Sequence, residues 1–232
     1  FGAGLQLPVI AAPMFLVSGL ALVQACCRSG IVGSFPAANA RTLDDLRDWL
    51  TQMRDFRQQH PQAAPYAMNV ILLDRMNDRK DAELALAEEF AVPVLITSVG
   101  DPTDTVRRAH GWGGHVLHDV VSIRHALKAA QAGVDGLILV CGGAGGHTGQ
   151  MNPFAFIPQV REFWDGLLVV GGSVSNGQTV RALEVLGADM AYMGTQFIAT
   201  EESMAAPEYK QMLISSQASD VVLSPVLSGV PA

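Results

Sequence analysis

A run of glycines around one histidine is the part of this sequence with the clearest capacity for chemistry. Residues 141–149 read Cys-Gly-Gly-Ala-Gly-Gly-His-Thr-Gly. Glycine this dense lets the backbone approach a ligand closely and adopt positive φ. His147 could act there as a general base, because an unperturbed imidazole has a pKa of about 6.5. The stretch predicts a ligand-binding loop that carries a base; a flexible surface loop with an incidental histidine is the alternative.

Two further glycine turns follow later apolar runs. One is the stretch Gly-Gly-Ser-Val-Ser-Asn-Gly at residues 171–177, and the other is Met-Gly-Thr at residues 193–195. Backbone N–H groups in such turns, helped by a helix N-terminus, can bind one phosphate. The candidate donors are the backbone N–H groups of Gly172, Ser173, Gly194 and Thr195. The alternative is that these glycines only make tight turns.

Two earlier segments have residue types that suit a flat ring. Ala12, Pro13 and Met14 end the first apolar run, and small residues with a proline that lacks an N–H can lie against a planar group. Asn69 interrupts the third run, and its side-chain amide could hydrogen-bond a ring edge. A packed turn and a capped strand end are the respective alternatives.

Short apolar runs that alternate with amphipathic helical patterns must position these residues. Such alternation predicts a parallel sheet. Eight runs favour a closed (β/α)₈ TIM barrel over an open doubly wound sheet, which stays the alternative. In a TIM barrel the site lies at the C-terminal ends of the strands, with a phosphate site after the last two. The runs cover residues 8–14, 31–36, 66–72, 93–99, 115–120, 136–140, 167–171 and 190–194.

The helical patterns carry start and stop signals of their own. Thr42, Ser122 and Asn176 are expected N-caps, each before an apolar-periodic segment. The phrases Ala-Gly-Val-Asp-Gly at 132–136 and Leu-Gly-Ala-Asp-Met at 186–190 repeat one helix-to-strand turn. No linker rich in proline, glycine or serine interrupts the pattern, so we expect a single domain over residues 1–232.

Composition limits the classes of function. Of 232 residues, 49% are hydrophobic and 16% are charged, and the net charge is −7. A sizeable core is therefore expected, whereas nucleic acid and anionic membranes are not expected partners. The 3 cysteines make a poor disulfide framework and favour the cytoplasm. No zinc-type spacing and no membrane-length apolar run is visible, and the sequence leaves the oligomeric state open, with a homodimer among the options.

Several of these segments together resemble the nitronate monooxygenase family, formerly called 2-nitropropane dioxygenases. The strongest piece is Ala-Gly-Gly-His-Thr-Gly at 144–149. Residues 121–136, the pair Gly171-Gly172 and Tyr-Met-Gly-Thr-Gln-Phe at 192–197 also look like the family. The resemblance covers nearly the whole chain.

The resemblance implies an FMN-dependent TIM barrel that oxidises nitronates with O₂. His147 would be the base or electrostatic partner of the substrate, and Met14, Phe154 and Phe156 would suit a small alkyl chain. His118 and Cys141 could also line the mouth, although a buried cysteine is usually inert. The residues implied for cofactor binding are Ala12, Pro13, Met14, Asn69, Gly145, Gly146, Gly172, Ser173, Met193, Gly194 and Thr195.

The chain departs from the family pattern in three places. Asp119 stands where some members carry lysine, Gly143 stands where many carry glutamate, and the usual C-terminal helical region is absent or truncated. These departures bear on substrate more than on FMN. Two alternatives remain: an FMN-dependent enoyl-acyl-carrier-protein reductase that uses NAD(P)H, and a non-catalytic barrel that binds a phosphorylated ligand.

Overall fold

Eight parallel strands alternate with helices in the computed structural model, which describes residues 4–146 and 148–224. The strands are β1 (Val9–Ala11), β2 (Gly33–Pro36), β3 (Tyr66–Ile71), β4 (Val94–Ser98), β5 (His115–Val120), β6 (Gly136–Val140), β7 (Leu167–Gly171) and β8 (Met190–Met193). The α-helices are α1 (Leu20–Arg28), α2 (Leu43–Gln59), α3 (Lys80–Glu89), α4 (Thr103–Gly111), α5 (Ile123–Gln131), α6 (Pro153–Arg161), α7 (Gly177–Leu186), α8 (Thr195–Ile198) and α9 (Pro207–Ser215). Each predicted apolar run contains one strand.

The sheet curls into a barrel. From β2 to β8 each strand pairs in parallel with the next, and β8 pairs with β1. The ring closes where the Ala11 N–H donates to the Val32 carbonyl at 2.8 Å and the Val32 N–H donates to the Val9 carbonyl at 3.0 Å. The TIM-barrel prediction is confirmed. The first strand is shorter than its apolar run, because residues 12–14 already belong to the following loop.

Alternation along the strands separates two apolar clusters. Successive strand side chains point to opposite faces, so one set fills the barrel and the other packs against the helices. The inner set is Ile10, Val32, Ala67, Val94, Ile96, Leu117, Ile138, Val169 and Met190. The outer set includes Phe35, Met68, Leu95, Leu137 and Val170, together with buried helix residues such as Leu46 and Leu50.

The predicted N-caps are confirmed. The Thr42 hydroxyl accepts a hydrogen bond from the Asp45 N–H, and the Asp45 carboxylate accepts one from the Thr42 N–H, which completes a capping box on α2. The Ser122 hydroxyl caps α5 through the His125 N–H. Asn176 caps α7 through the Thr179 N–H. These bonds satisfy helix N–H groups that otherwise have no partner, and so they set where the helices begin.

The two copies of the repeated helix-to-strand turn each make the same pair of hydrogen bonds to the preceding strand. Asp135 accepts the Val116 N–H at 2.7 Å and returns its own N–H to the Val116 carbonyl at 2.8 Å. Asp189 makes the same pair of contacts with Leu168, at 2.7 and 2.8 Å. Although partial burial favours the neutral acid, hydrogen bonds from Val116 and His110 lower the pKa of the Asp135 carboxyl below its ordinary value. Each aspartate therefore fastens the start of its own strand to the preceding one.

A buried ion pair joins the loops after β2 and β3. Glu83, only 2% exposed, accepts from Asn77 Nδ2 at 2.7 Å and from Arg79 Nη2 at 3.0 Å. The same guanidinium donates to the Arg41 carbonyl at 2.7 Å and to the Ala40 carbonyl at 3.1 Å. Glu83 thus holds the arginine that connects the two loops.

Glu83→Ala is expected to lower the free energy of unfolding by about 3 kcal/mol, because it leaves a partly buried arginine and an amide without their acceptor. Urea denaturation measures the change. Asp81→Ala is the matched control: it removes an acidic residue from the same first turn of α3, but that side chain is 90% exposed. An equal loss in both variants would show that only the charge at the helix start matters.

None of the helices in residues 4–146 and 148–224 combines the length and the apolar character needed to cross a membrane.

Candidate functional site

The C-terminal rim of the barrel brings together several residues that were predicted separately. A methyl group placed on Gly194 would lie 3.4 Å from Met14 Sδ and 4.0 Å from Ala12 Cβ. The Ala12 N–H donates to the Met193 carbonyl at 2.8 Å, whereas the Met193 side chain is buried in the outer core. The β1 loop and the β8 turn therefore lie side by side, and Met193 contributes to the rim through its backbone.

The β1 loop is held in place by an asparagine that the sequence did not single out. Asn39 donates to the Met14 carbonyl at 3.0 Å and to the Ser18 carbonyl at 2.8 Å, and it accepts the Leu16 N–H at 2.8 Å. The Ser18 hydroxyl accepts the Met14 N–H at 3.0 Å. These bonds hold the segment that contains Pro13 against the loop after β2.

The loops after β6 and β7 contact each other through backbone. Gly143, with φ of +86°, accepts the Ser173 N–H at 3.1 Å. Gly172 has φ of +130°, and Ser173 has φ of +55°, which is uncommon for a residue with a side chain. The Ser173 N–H is therefore engaged within the protein in this arrangement, and its hydroxyl is the group left for a ligand.

Three other backbone donors remain at this rim. Among the residues that the structure describes, the N–H groups of Gly172, Gly194 and Thr195 make no hydrogen bond to a backbone carbonyl. The strands that lead to them are neighbours, with Gly171 in register with Tyr192. Two adjacent turns thus present unused N–H groups at the same end of the barrel, as an anion requires.

The β6 loop has open space around its glycines. Among the described residues, no atom would lie within 4 Å of a methyl group on Gly145 or Gly146, and Gly146 has φ of +70°. The base of the loop is anchored, since the Gly142 N–H donates to the Met151 carbonyl at 2.9 Å and the Thr148 hydroxyl donates to the Cys141 carbonyl at 3.1 Å. His147 lies outside the described residues, and its role stays a prediction.

A polar layer lies above the apolar filling of the barrel. By strand alternation, Asn69, Ser98, Asp119 and Tyr192 share the inner face with the buried residues two positions before them. Asn69 Nδ2 donates to the Ile96 carbonyl at 3.0 Å and to Ser98 Oγ at 2.8 Å, and Ser98 Oγ donates to Asp119 Oδ2 at 2.5 Å. Asn69, predicted to contact a ring, is thus the first member of a chain of hydrogen bonds across three strands.

Asp119 is the unusual member of this layer. Burial raises the pKa of its carboxyl to about 6, against a smaller opposing effect of the hydrogen bond from Ser98. Tyr192 has its pKa raised well above the ordinary value by burial and by the nearby Asp119. Sequence reasoning gave no role to Ser98 or Tyr192, although the two-residue alternation that starts from Asn69 was the signal that could have found them.

Three other side chains do not face the mouth. His118 packs on the outer face, where its Nδ1 lies 2.8 Å from Thr97 Oγ1, and burial followed by the charge of His125 lowers its pKa to about 4. The interpretation that His118 lines the mouth is wrong, because alternation points Asp119 there instead. Cys141 and Phe156 are fully buried in the outer core, so neither lines the mouth, and burial raises the pKa of the Cys141 thiol to about 12.

Comparison with known proteins gives this geometry a context. The Rhodococcus jostii (strain RHA1) protein named (3aS,4S,5R,7aS)-5-hydroxy-7a-methyl-1-oxo-octahydro-1H-indene-4-carboxyl-CoA dehydrogenase is 26% identical over 228 residues, which is 98% of this chain. The chain spans only 62% of that relative's length.

Two solved structures are similar over almost the whole chain. FabK from Thermotoga maritima superposes with a TM-score of 0.86 at 27% identity, over 99% of this chain and 71% of that protein. Nitroalkane oxidase from Streptomyces ansochromogenes also gives a TM-score of 0.86, at 26% identity, over 98% of this chain and 76% of that protein. The sequence profile of the nitronate monooxygenase family matches residues 3–232. The chain therefore belongs to the nitronate monooxygenase family.

Proposed function

We propose that this chain forms a single FMN-binding domain of an oxidoreductase, which oxidises alkyl nitronates, and also neutral nitroalkanes, with O₂ to a carbonyl compound and nitrite. The observation that carries the proposal is the pairing, at one rim of the barrel, of unused backbone donors with an inward-facing polar layer. Family membership supports it, as does the likeness to a nitroalkane oxidase.

The rim residues fit both ends of FMN. The N–H groups of Gly172, Gly194 and Thr195 would bind the phosphate, helped by the Ser173 hydroxyl, and Gly145 and Gly146 leave room for the ribityl chain. The backbone of Met193 would border it. Asn69 and the β1 loop residues Ala12, Pro13 and Met14 would contact the ring. Asp119 Oδ1 is buried and has no hydrogen-bond partner in the described chain. A bound ligand could supply that partner.

When bound, FMN supplies the electron acceptor for the nitronate carbon and the reductant for O₂. The chain's own contribution is proton handling and exclusion of water. His147 would remove the α-proton of a neutral nitroalkane or donate a hydrogen bond to a nitronate oxygen. Met14, at the rim, and Phe154, which is 69% exposed at the start of α6, would receive a short alkyl chain. Apolar contact at the mouth favours substrates whose chain is a short alkyl group over those whose chain carries polar or charged groups.

Anaerobic mixing tests the reaction class. We expect propyl nitronate to bleach the absorbance of the FMN-loaded protein, and we expect admission of O₂ to restore the colour with formation of nitrite. NADH is the comparison reductant, and it should bleach the flavin far more slowly. Fast bleaching by NADH, with no response to the nitronate, would contradict the proposal and favour a reductase.

A further inference from the structure

The carboxyl oxygen Oδ1 of Asp119 has not yet been assigned to a particular part of the ligand. Asp119 is partly buried at the end of β5, on the inner face of the barrel. Its Oδ1 is buried and has no hydrogen-bond partner among residues 4–146 and 148–224. A buried polar atom without a partner is costly, so a group that is bound at the mouth is the natural source of one.

The neighbouring hydrogen bonds orient this carboxyl. Asn69 Nδ2 donates both of its hydrogens, one to the Ile96 carbonyl and one to Ser98 Oγ. Ser98 Oγ therefore accepts from Asn69, and its own hydrogen is directed to Asp119 Oδ2. Because Oδ2 is the acceptor, Oδ1 is the atom that carries the proton when the carboxyl is neutral. A neutral Asp119 thus has an O–H donor at Oδ1, on the inner face of the barrel.

The surroundings favour the neutral acid over the carboxylate. Within residues 4–146 and 148–224, the polar members of its layer are Asn69 on β3, Ser98 on β4 and Tyr192 on β8, and none of the three is a cation. Burial is the largest influence on its pKa and raises it. A ligand that covers the mouth removes more water from the carboxyl, which disfavours the charged form further.

We propose that Asp119 binds the ring of FMN as a neutral carboxylic acid, donating its Oδ1–H to a ring carbonyl or ring nitrogen acceptor. This inference rests on the proposed function, and it assigns the binding atom as Asp119 Oδ1. A neutral acid offers a single directed donor there. The binding-competent form contains one proton more than the carboxylate, so FMN affinity must depend on pH.

The proton on Asp119 sets the direction in which FMN affinity changes with pH. Below the pKa of the free protein nearly every molecule is ready to bind, and above it the ready fraction falls by up to tenfold per pH unit. Wild-type affinity for FMN should therefore fall as pH rises above 6. Asp119→Asn should remove this dependence, because Ser98 fixes the amide oxygen at the Oδ2 position and leaves an NH₂ donor at the Oδ1 position.

Titration of apoprotein with FMN from pH 5.5 to 8.5, followed by flavin fluorescence, tests the proposal. A phosphate monoester also titrates near pH 6, so the measured quantity is the ratio of wild-type to Asp119→Asn affinity at each pH. We expect the two proteins to bind within about threefold of each other at pH 5.5, and the wild type to bind at least about tenfold more weakly than the variant at pH 7.5. Riboflavin lacks the phosphate, so its affinity for the wild-type protein alone should fall as the pH rises, and no comparison with the variant is needed.

Each contrary outcome has a distinct meaning. A ratio that stays constant with pH, or a variant that binds more weakly throughout, would overturn the inference while leaving FMN binding intact; the second result would show a carboxylate that accepts a ring N–H. If Asp119→Asn does not fold, a riboflavin affinity that is flat with pH in the wild type overturns the inference equally. Failure of the wild type to bind FMN at any pH would overturn the proposed function and this inference with it.

Discussion

His147→Ala is expected to lower the turnover of a neutral nitroalkane by about 10²–10⁴-fold while the protein keeps its yellow colour. The physical reason is that alanine removes the only group assigned to take the α-proton, whereas no contact with FMN is assigned to the imidazole. The flanking contacts of Gly142 and Thr148 anchor the base of the loop without using the imidazole. Steady-state oxygen consumption measures turnover, and the absorbance ratio of flavin to protein measures loading.

Comparison of a neutral nitroalkane with its nitronate separates proton removal by His147 from the later oxidation. A preformed nitronate has already lost its α-proton, so His147→Ala should slow nitronate oxidation less than nitroalkane oxidation. His60→Ala serves as the control, because this exposed histidine ends α2 rather than a strand. Near-normal nitroalkane turnover in His147→Ala, or an equal loss in the control, would remove the role assigned to His147.

Gly172→Ala is expected to weaken FMN binding by at least about tenfold, which corresponds to about 1.4 kcal/mol. Gly172 has φ of +130°, and a methyl group there would lie 3.0 Å from the Gly142 carbonyl oxygen. A residue with a side chain pays about 1–3 kcal/mol to adopt such a conformation. The β7 turn must therefore shift, and the shift moves the N–H groups assigned to the phosphate.

Gly177→Ala is the matched control for that variant. Gly177 is the first residue of α7, five positions further along the same connection, and a methyl group there would meet no atom of residues 4–146 and 148–224 within 4 Å. Isothermal titration with FMN and with riboflavin separates the two ends of the ligand. We expect Gly172→Ala to lose FMN affinity but to keep its weaker riboflavin affinity. An equal loss of affinity for FMN and for riboflavin would show that this turn does not bind the phosphate.

Much of the fold could be predicted because local rules agree with the tertiary structure. The apolar runs are continuous because both faces of each strand are covered, one by the barrel interior and one by the helices. The helix starts at Thr42, Ser122 and Asn176 depend on side-chain caps within three residues, which a sequence shows directly. The end of the first strand was harder to predict, because its apolar run continues into a loop. That loop is held by Asn39, which donates to the Met14 carbonyl and lies 25 residues further along the chain.

The site was only partly predictable. The sequence showed glycine turns after the sixth, seventh and eighth strands. It did not show that the Ser173 N–H donates to the Gly143 carbonyl, because that bond joins two loops that are distant in sequence. The inward direction of Asp119, rather than His118, follows from strand register that was not assigned beforehand. The prediction for Phe156 failed because two residues span about half a turn of α6, so the exposed Phe154 and the fully buried Phe156 lie on opposite faces of the helix.

The central claim is that this barrel rim holds FMN by its phosphate, and the visible absorption spectrum of the purified protein tests it most directly. We predict the absorption bands of an oxidised flavin, with about one flavin released per chain on denaturation, and we predict that the released compound is FMN rather than riboflavin. A colourless protein that takes up no FMN on reconstitution would contradict the account.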